Sequence, residues 1–325
     1  MIDKFGRKVN YLRLSVTDRC DLRCNYCMPK KNSKLYPKSE ILSLDDLKRI
    51  TKVLINLGIK KIRVTGGEPL IRKDISQFLE FISSLKHQGL EEILITTNGT
   101  QLKRYAKKIS DLGIKHINVS LDSLSSKKFK FLTNGGDLTD VLNGIYEAKK
   151  HKLDIKINTV LLKDFNENEI LKMVKWCADN NFKQTFIEVM PVGKVDLQRS
   201  NQFLPVSFAK EKIKKAFGLD PIFFKTNGPS RYYQTKKLNN IIGFISPLTN
   251  NFCSTCNRIR ITSNGILYPC LGDNGSTNLI DILKFDDNKL SQKIRRLVFN
   301  KPEKHFFTVD DKTYINNRYM NTTGG

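Results

Sequence analysis

Three of the chain's seven cysteines, Cys20, Cys24 and Cys27, fall within eight residues and are spaced C-x3-C-x2-C. Thiolates crowded this closely usually hold a soft metal. A cubane iron–sulfur cluster that only carries electrons takes four thiolates. Three protein ligands leave one iron with an open position, where chemistry can happen. A structural zinc site would want a fourth ligand, and none of the four histidines, His87, His116, His151 and His305, lies nearby in sequence. A second group, Cys253, Cys256 and Cys270, again supplies three cysteines without a histidine, and it lacks the second C-x2-C of a zinc ribbon. After Cys256 comes Asn257-Arg258-Ile259-Arg260-Ile261. At strand period Arg258 and Arg260 share one face while Ile259 and Ile261 pack behind. Two guanidiniums beside a cluster with a free iron make an anion pocket suited to phosphate; without the cysteines the same run reads equally as a solvated edge strand. The seventh cysteine, Cys177, follows Trp176 in a helical stretch and reads as a small core residue.

These residues need a frame. Residues 11–16 alternate like a strand, with Leu12, Leu14 and Val16 on one face and Arg13 and Ser15 on the other. Ser43 and Asp46 signal a helix start. Leu47, Ile50, Leu54 and Leu57 follow with helical spacing, and Gly58 stops the run. Strand-like runs at 61–65, 93–97, 116–122, 154–162 and 186–190 then alternate with helical runs at 74–89, 102–112, 140–150 and 168–180. The turn Gly66-Gly67-Glu68-Pro69 reads as a βα turn that needs positive φ. Six strands separated by helices imply a parallel sheet with right-handed crossovers, its functional residues at the strands' C-terminal ends. Past Pro191 the rhythm breaks into a helix at 206–217, β-like runs at 222–225, 232–235 and 241–245, and a basic helix at 288–298. A boundary near residue 200 divides the chain into residues 1–200 and 201–325.

With 325 residues, 39% hydrophobic and 27% charged, the chain suits one large core or two smaller ones. No apolar run reaches the roughly 20 residues that span a bilayer, and the N-terminus shows no signal-peptide core. Cysteines in tight groups fit a metal pattern in a reducing cytoplasm better than a disulfide framework. The net charge of +24 favours anionic partners. The lysines scatter as solvated charge instead of clustering as a nucleic-acid stripe. A metal-ribbon nucleic-acid-binding protein is the rival reading; it predicts zinc and steep salt dependence, and it explains neither the Gly66-Gly67-Glu68-Pro69 turn nor the three-ligand count.

With Tyr26 before its last cysteine, the first group resembles the signature of radical S-adenosylmethionine (SAM) enzymes, and Gly66-Gly67-Glu68-Pro69 resembles their GGEP turn. Adding Phe252-Cys253-Ser254-Thr255-Cys256-Asn257-Arg258 and the terminal Gly324-Gly325, the chain resembles the GTP 3′,8-cyclase branch, which opens molybdenum cofactor biosynthesis. The resemblance implies an α/β fold: an incomplete, TIM-like (β/α)6 radical SAM barrel with a C-terminal iron–sulfur domain. It implies two 4Fe-4S clusters, one on Cys20, Cys24 and Cys27 and one on Cys253, Cys256 and Cys270, the second holding guanine on its free iron. Tyr26, Gly67, Ser120 and Met190 match SAM-holding positions. Arg13, Arg63, Thr96, Lys156, Arg258 and Arg260 match GTP-contacting positions, with Lys61 a further candidate. Read without the resemblance, Met190 is a core residue, Lys156 a solvated strand lysine and the Gly-Gly tail a frayed terminus. The branch usually reads Arg-Phe-Ile-Glu where this chain has Thr185-Phe186-Ile187-Glu188, and Lys183 is the nearest substitute cation. Implied partners are GTP, an electron donor such as flavodoxin or ferredoxin, and a downstream cyclic pyranopterin monophosphate synthase, with no membrane or nucleic acid; a homodimer is compatible. The alternative within the superfamily is a radical SAM enzyme with an auxiliary cluster that modifies a peptide.

Overall fold

A computed structural model of the chain describes residues 1–28, 35–193, 199–224, 226, 228–307 and 318–324. The strands are β1 Tyr11–Ser15, β2 Lys61–Thr65, β3 Glu92–Thr97, β4 His116–Ser120, β5 Asp154–Leu161, β6 Lys183–Glu188, β7 Asp220–Pro221, β8 Arg231–Gln234, β9 Ile241–Ile245, β10 Arg258–Ile261, β11 Ile266–Tyr268 and β12 Thr277–Asn278. The helices are α1 Leu44–Asn56, α2 Ile75–Ser84, α3 Leu102–Asp111, α4 Ser126–Leu132, α5 Leu138–Lys150, α6 Ile170–Asp179, α7 Arg199–Gln202, α8 Val206–Phe217, α9 Ile280–Leu283, α10 Asp287–Phe299 and α11 Met320–Thr323.

All twelve strands join one sheet in the order β12-β11-β10-β1-β2-β3-β4-β5-β6-β9-β8-β7. Strands β1 to β6 are parallel and lie in chain order, the arrangement that helical crossovers produce. Outside them β10 runs parallel beside β1, and β9 runs parallel beside β6. Antiparallel ribbons finish both edges. The sheet therefore curves as an open partial barrel, and the C-terminal residues extend it at both ends. The change of rhythm near residue 200 is not a break in the sheet.

Strand period sorts the side chains. Leu12, Leu14, Ile62, Val64, Ile93, Ile95, Ile117, Val119, Ile259 and Ile261 are buried in the main core with the inward stripes of the helices. The opposite face carries the polar residues. Helix α1 starts as its sequence indicates: the Ser43 hydroxyl accepts from Asp46 N at 3.1 Å, and Ser43 N donates to the Asp46 carboxylate at 3.1 Å. Losing that cap costs about 1 kcal/mol.

Two expectations need correction, and one helix was not anticipated. Residues 222–224 form no strand, Phe223 projecting into solvent while Phe224 packs edge-on against Tyr232 at 4.9 Å; Lys225 lies outside the described residues. Strand β6 begins at Lys183 and ends at Glu188, so Met190 follows the strand. Helix α4 is an addition, seven residues long and too short to establish a period.

Candidate functional site

A cavity of about 760 Å³ opens on the polar face of the sheet. Alternate strand residues point into it: Arg13, Lys61, Arg63, Thr96, Ser120, Lys156, Arg258 and Arg260. They meet Cys20, Cys24, Tyr26, Cys27, Gly67 and Met190 from the loops above. Cys253, Cys256 and Cys270 do not line this cavity, although their neighbours Phe252, Arg258 and Leu271 do.

The first cysteine loop is held from three sides. Arg23 N and Asn25 N donate to the Thr133 and Leu132 carbonyls, stapling the loop to the end of α4. Asp21 accepts from Asn98 Nδ2 at 2.7 Å and Thr100 Oγ1 at 2.6 Å, and Asn98 Nδ2 also lies 3.6 Å from Cys20 Sγ. Tyr26 donates its hydroxyl to Asp122 at 2.8 Å, and the other Asp122 oxygen accepts from Val160 N at 2.7 Å. Burial pushes the Asp122 carboxyl up to about 6 despite these bonds.

The glycine turn lies against this loop. Gly67 N donates to Thr17 O at 2.7 Å and Glu68 N to Arg19 O at 2.8 Å. Neither Gly66 nor Gly67 has positive φ, so the conformational reason expected from sequence is replaced by a steric one. A Cβ on Gly67 would overlap the Arg19 carbonyl oxygen. The fully buried Glu68 carboxylate ties the ends of β2 and β3 together, accepting from Leu70 N, Thr97 Oγ1 and Asn98 N. Burial raises it to about 7.

Below the loop lies a row of guanidiniums. Register sets Arg13 between Arg63 and Arg260, and Tyr11 between Lys61 and Arg258. Arg63 donates to Tyr11 Oη at 2.6 Å and Thr96 Oγ1 at 3.1 Å. Burial first, then the neighbouring guanidiniums, lowers Arg13 well below the usual arginine range; burial and Arg258 bring Arg260 to about 10. Like charges held side by side on neighbouring strands repel one another, and a polyanion in the cavity would offset that repulsion. At the floor, Lys61 pairs with Glu92 at 2.6 Å, and Asp154 bridges His116 at 2.8 Å and Lys183 at 2.7 Å. Thr185, where the branch has arginine, faces the cavity with a buried hydroxyl that lacks a partner among the described residues. The nearby cations Lys183 and Lys156 also line the cavity, the latter donating to Tyr232 Oη at 2.7 Å.

The second cysteine group sits in cationic surroundings. Burial alone would raise the Cys256 thiol, but Arg258 and Lys301 outweigh it and bring the group down to about 7. Cys270 is raised by burial, with Lys301 opposing. The terminal segment folds back onto the guanidinium row: Arg260 Nη1 donates to Gly324 O at 2.6 Å, and a Cβ on Gly324 would strike Thr65. Residues 321–323 are buried, not frayed; Gly325 lies outside the described residues.

Spacing made both cysteine groups and Arg258/Arg260 visible. Glu68 was visible within the Gly66-Gly67-Glu68-Pro69 turn, and Asn98 and Asp122 as strand-end residues without an assigned role. Lys301 and Arg7 carried no local signal, since they meet the second group only through the fold. Among the described residues no three His, Cys, Asp or Glu side chains converge as ligands of a single ion.

The curved parallel sheet and the three-cysteine loop at its rim define a radical SAM protein, and the radical SAM superfamily model matches residues 14–177. A second family, Molybdenum Cofactor Synthesis C, matches residues 182–307. Proteins named GTP 3′,8-cyclase from Brucella ovis and Brucella abortus are 44% identical over 330 residues, covering 100% of this chain and 96% of theirs. The chain belongs to the GTP 3′,8-cyclase family. Among solved structures, SuiB of Streptococcus suis bound to S-adenosylmethionine is similar in fold with a TM-score of 0.62 at 19% identity. The match covers 91% of this chain but only 64% of SuiB. Histidine-tagged anSMEcpe with bound AdoMet gives 0.57 at 17% identity, covering 89% of this chain and 80% of that one.

Proposed function

We propose that the chain converts GTP to (8S)-3′,8-cyclo-7,8-dihydroguanosine 5′-triphosphate, the first step of molybdenum cofactor biosynthesis. The observation that carries this reading is one cavity joining three thiols at its rim to a row of guanidiniums beneath. Cys20, Cys24 and Cys27 would hold one 4Fe-4S cluster and Cys253, Cys256 and Cys270 a second. Tyr26, Gly67, Ser120 and Met190 would hold SAM. When bound, these groups would supply a 5′-deoxyadenosyl radical able to take the ribose H3′; closing C3′ onto guanine C8 would leave an unpaired electron on the base, which one electron from the second cluster and one proton would quench to give the 7,8-dihydro product.

The chain's own contribution is to bind and orient. Arg13, Arg63, Arg258 and Arg260, with Lys156 and Thr96, would clamp the triphosphate and sugar by charge-assisted hydrogen bonds. Freezing the base against the ribose can lower the barrier by on the order of 7–11 kcal/mol. With the family's arginine replaced by Thr185, Lys183 is the cation best placed to serve the phosphates. Residues 1–200 would then carry the radical-generating cluster and part of the GTP clamp, and residues 201–325 the second cluster with Arg258 and Arg260. An acidic electron donor such as flavodoxin or ferredoxin would reduce the first cluster in the cytoplasm, and a cyclic pyranopterin monophosphate synthase would consume the product. Among the described residues no helix is long and apolar enough to cross a membrane.

The test is anaerobic reconstitution followed by SAM, reductant and GTP. GTP-dependent release of 5′-deoxyadenosine with formation of the cyclised nucleotide is expected. Release indifferent to GTP would overturn the substrate while leaving the radical SAM class standing.

A further inference from the structure

Lys301 follows α10 and is only 1% exposed. Among the described residues its ammonium donates to two backbone carbonyls, Arg258 O at 3.0 Å and Pro269 O. No carboxylate ion pair involving it occurs there. A buried ammonium without a counter-charge is costly, so its retention calls for an anion close by. The carbonyls it binds give the address: Pro269 directly precedes Cys270, and Arg258 lies two residues after Cys256. The third cysteine is tied to the same segment, because Arg7 donates to Cys253 O at 2.8 Å and to Pro302 O at 2.6 Å.

We propose that Lys301 is the counter-charge and positioning residue of the second iron–sulfur site, fixing the segments that carry Cys256 and Cys270 and raising the reduction potential of the cluster they hold. The proposal rests on the reading that Cys253, Cys256 and Cys270 bind a cluster. Net charge around a cluster is a main determinant of its potential, and a buried cation is screened little by solvent.

The full-length chain with Cys20, Cys24 and Cys27 changed to Ala isolates the second site. It is reconstituted with iron and sulfide, and iron content and the midpoint potential from an EPR-monitored titration are measured. Lys301→Gln keeps an N–H donor but loses the charge. It is expected to lower the midpoint by about 59 mV or more, a tenfold change in a one-electron equilibrium. Lys301→Met is expected to lower the midpoint and lose iron as well, and Lys301→Arg to restore most of the potential. A Lys301→Gln variant with full iron and an unchanged midpoint overturns the proposal. So does loss of secondary structure in the Gln and Met variants alike, which would make Lys301 a general folding residue. No iron in the triple-alanine parent overturns the reading of the second site itself, and the proposal with it.

Discussion

Carboxylates act on the first group, Glu68 and Asp21 on Cys20 and Asp122 on Cys24, while cations act on the second, Arg258 and Lys301 on Cys256 and Lys301 on Cys270. Burial pushes Cys20 and Cys24 up, and the carboxylates and fellow thiols add to the shift. At the second group the cations reverse the effect of burial on Cys256. Cys20 and Cys24 thus sit beside carboxylates, and Cys256 and Cys270 beside cations. An anionic field makes an added electron costly and suits a strong reductant; a cationic field makes an added electron, or a bound polyanion, easier to hold. Such a contrast would suit the proposed division between generating a radical and handling the molecule that receives it.

The sharpest way to break this comparison is to remove one cysteine from each group. Cys24→Ala is expected to abolish 5′-deoxyadenosine release, by at least on the order of a thousandfold. Cys256→Ala is expected to abolish the cyclised product while leaving some 5′-deoxyadenosine release, both read by chromatography. Equal loss of both products in the two variants would erase the distinction. Next in size, Arg258→Ala or Arg260→Ala should lower kcat/KM for GTP about 10- to 100-fold, the value of a lost charged hydrogen bond of about 1.5–3 kcal/mol, with iron content intact. Gly67→Ala forces a Cβ into the Arg19 carbonyl. It should destabilise the first loop by about 1–3 kcal/mol, seen as a lower melting temperature and less iron at that site.

Two smaller effects depend on pH. In cluster-free protein Cys256 is a thiolate above about pH 7 whereas Cys24 stays protonated. Alkylation followed by mass spectrometry should therefore label Cys256 before Cys20 or Cys24, its rate falling about tenfold per pH unit below 7; Arg258→Ala should move that limb upward. Glu68 has the opposite sign from a salt-bridged carboxylate. Its folded value of about 7 exceeds the ordinary glutamate value of 4.5. Ionisation thus opposes folding, and the cost grows as pH rises from 4.5 to 7 and then levels off. Denaturant midpoints of the wild type should decline across that window, and those of Glu68→Gln should decline less, keeping the part that Asp122, raised to about 6, contributes.

Much of the frame was legible because its signals are local. Leu12, Leu14 and Val16 alternate, Ser43 and Asp46 cap, and the cysteine spacings need no fold to be noticed. Long-range features left no such mark. Gly67 is small because the Thr17–Arg19 backbone, some 50 residues earlier, crosses above it, a fact no turn rule contains. Arg7 and Lys301 read as ordinary surface cations until the fold brings them beneath Cys253 and Cys270. The run at 222–224 has the composition of a strand, yet its aromatic side chain at Phe224 is used to cover Tyr232. Lys183 and Thr185 hid the start of β6 because polar residues face a cavity there, where the pattern anticipates core.

The sheet order also bears on how the molecule is made. Strand β1 pairs with β10, with Tyr11 opposite Arg258, and β6 pairs with β9. During synthesis the first six strands emerge well before either outer neighbour, so both flanks carry unpaired backbone for a long stretch of translation. Exposed edges of this kind recruit other chains, and pairings so distant in sequence form slowly. Chaperone occupancy of the nascent chain should therefore persist until residues 241–261 have left the ribosome, and a fragment ending before β9 should aggregate where the full chain does not.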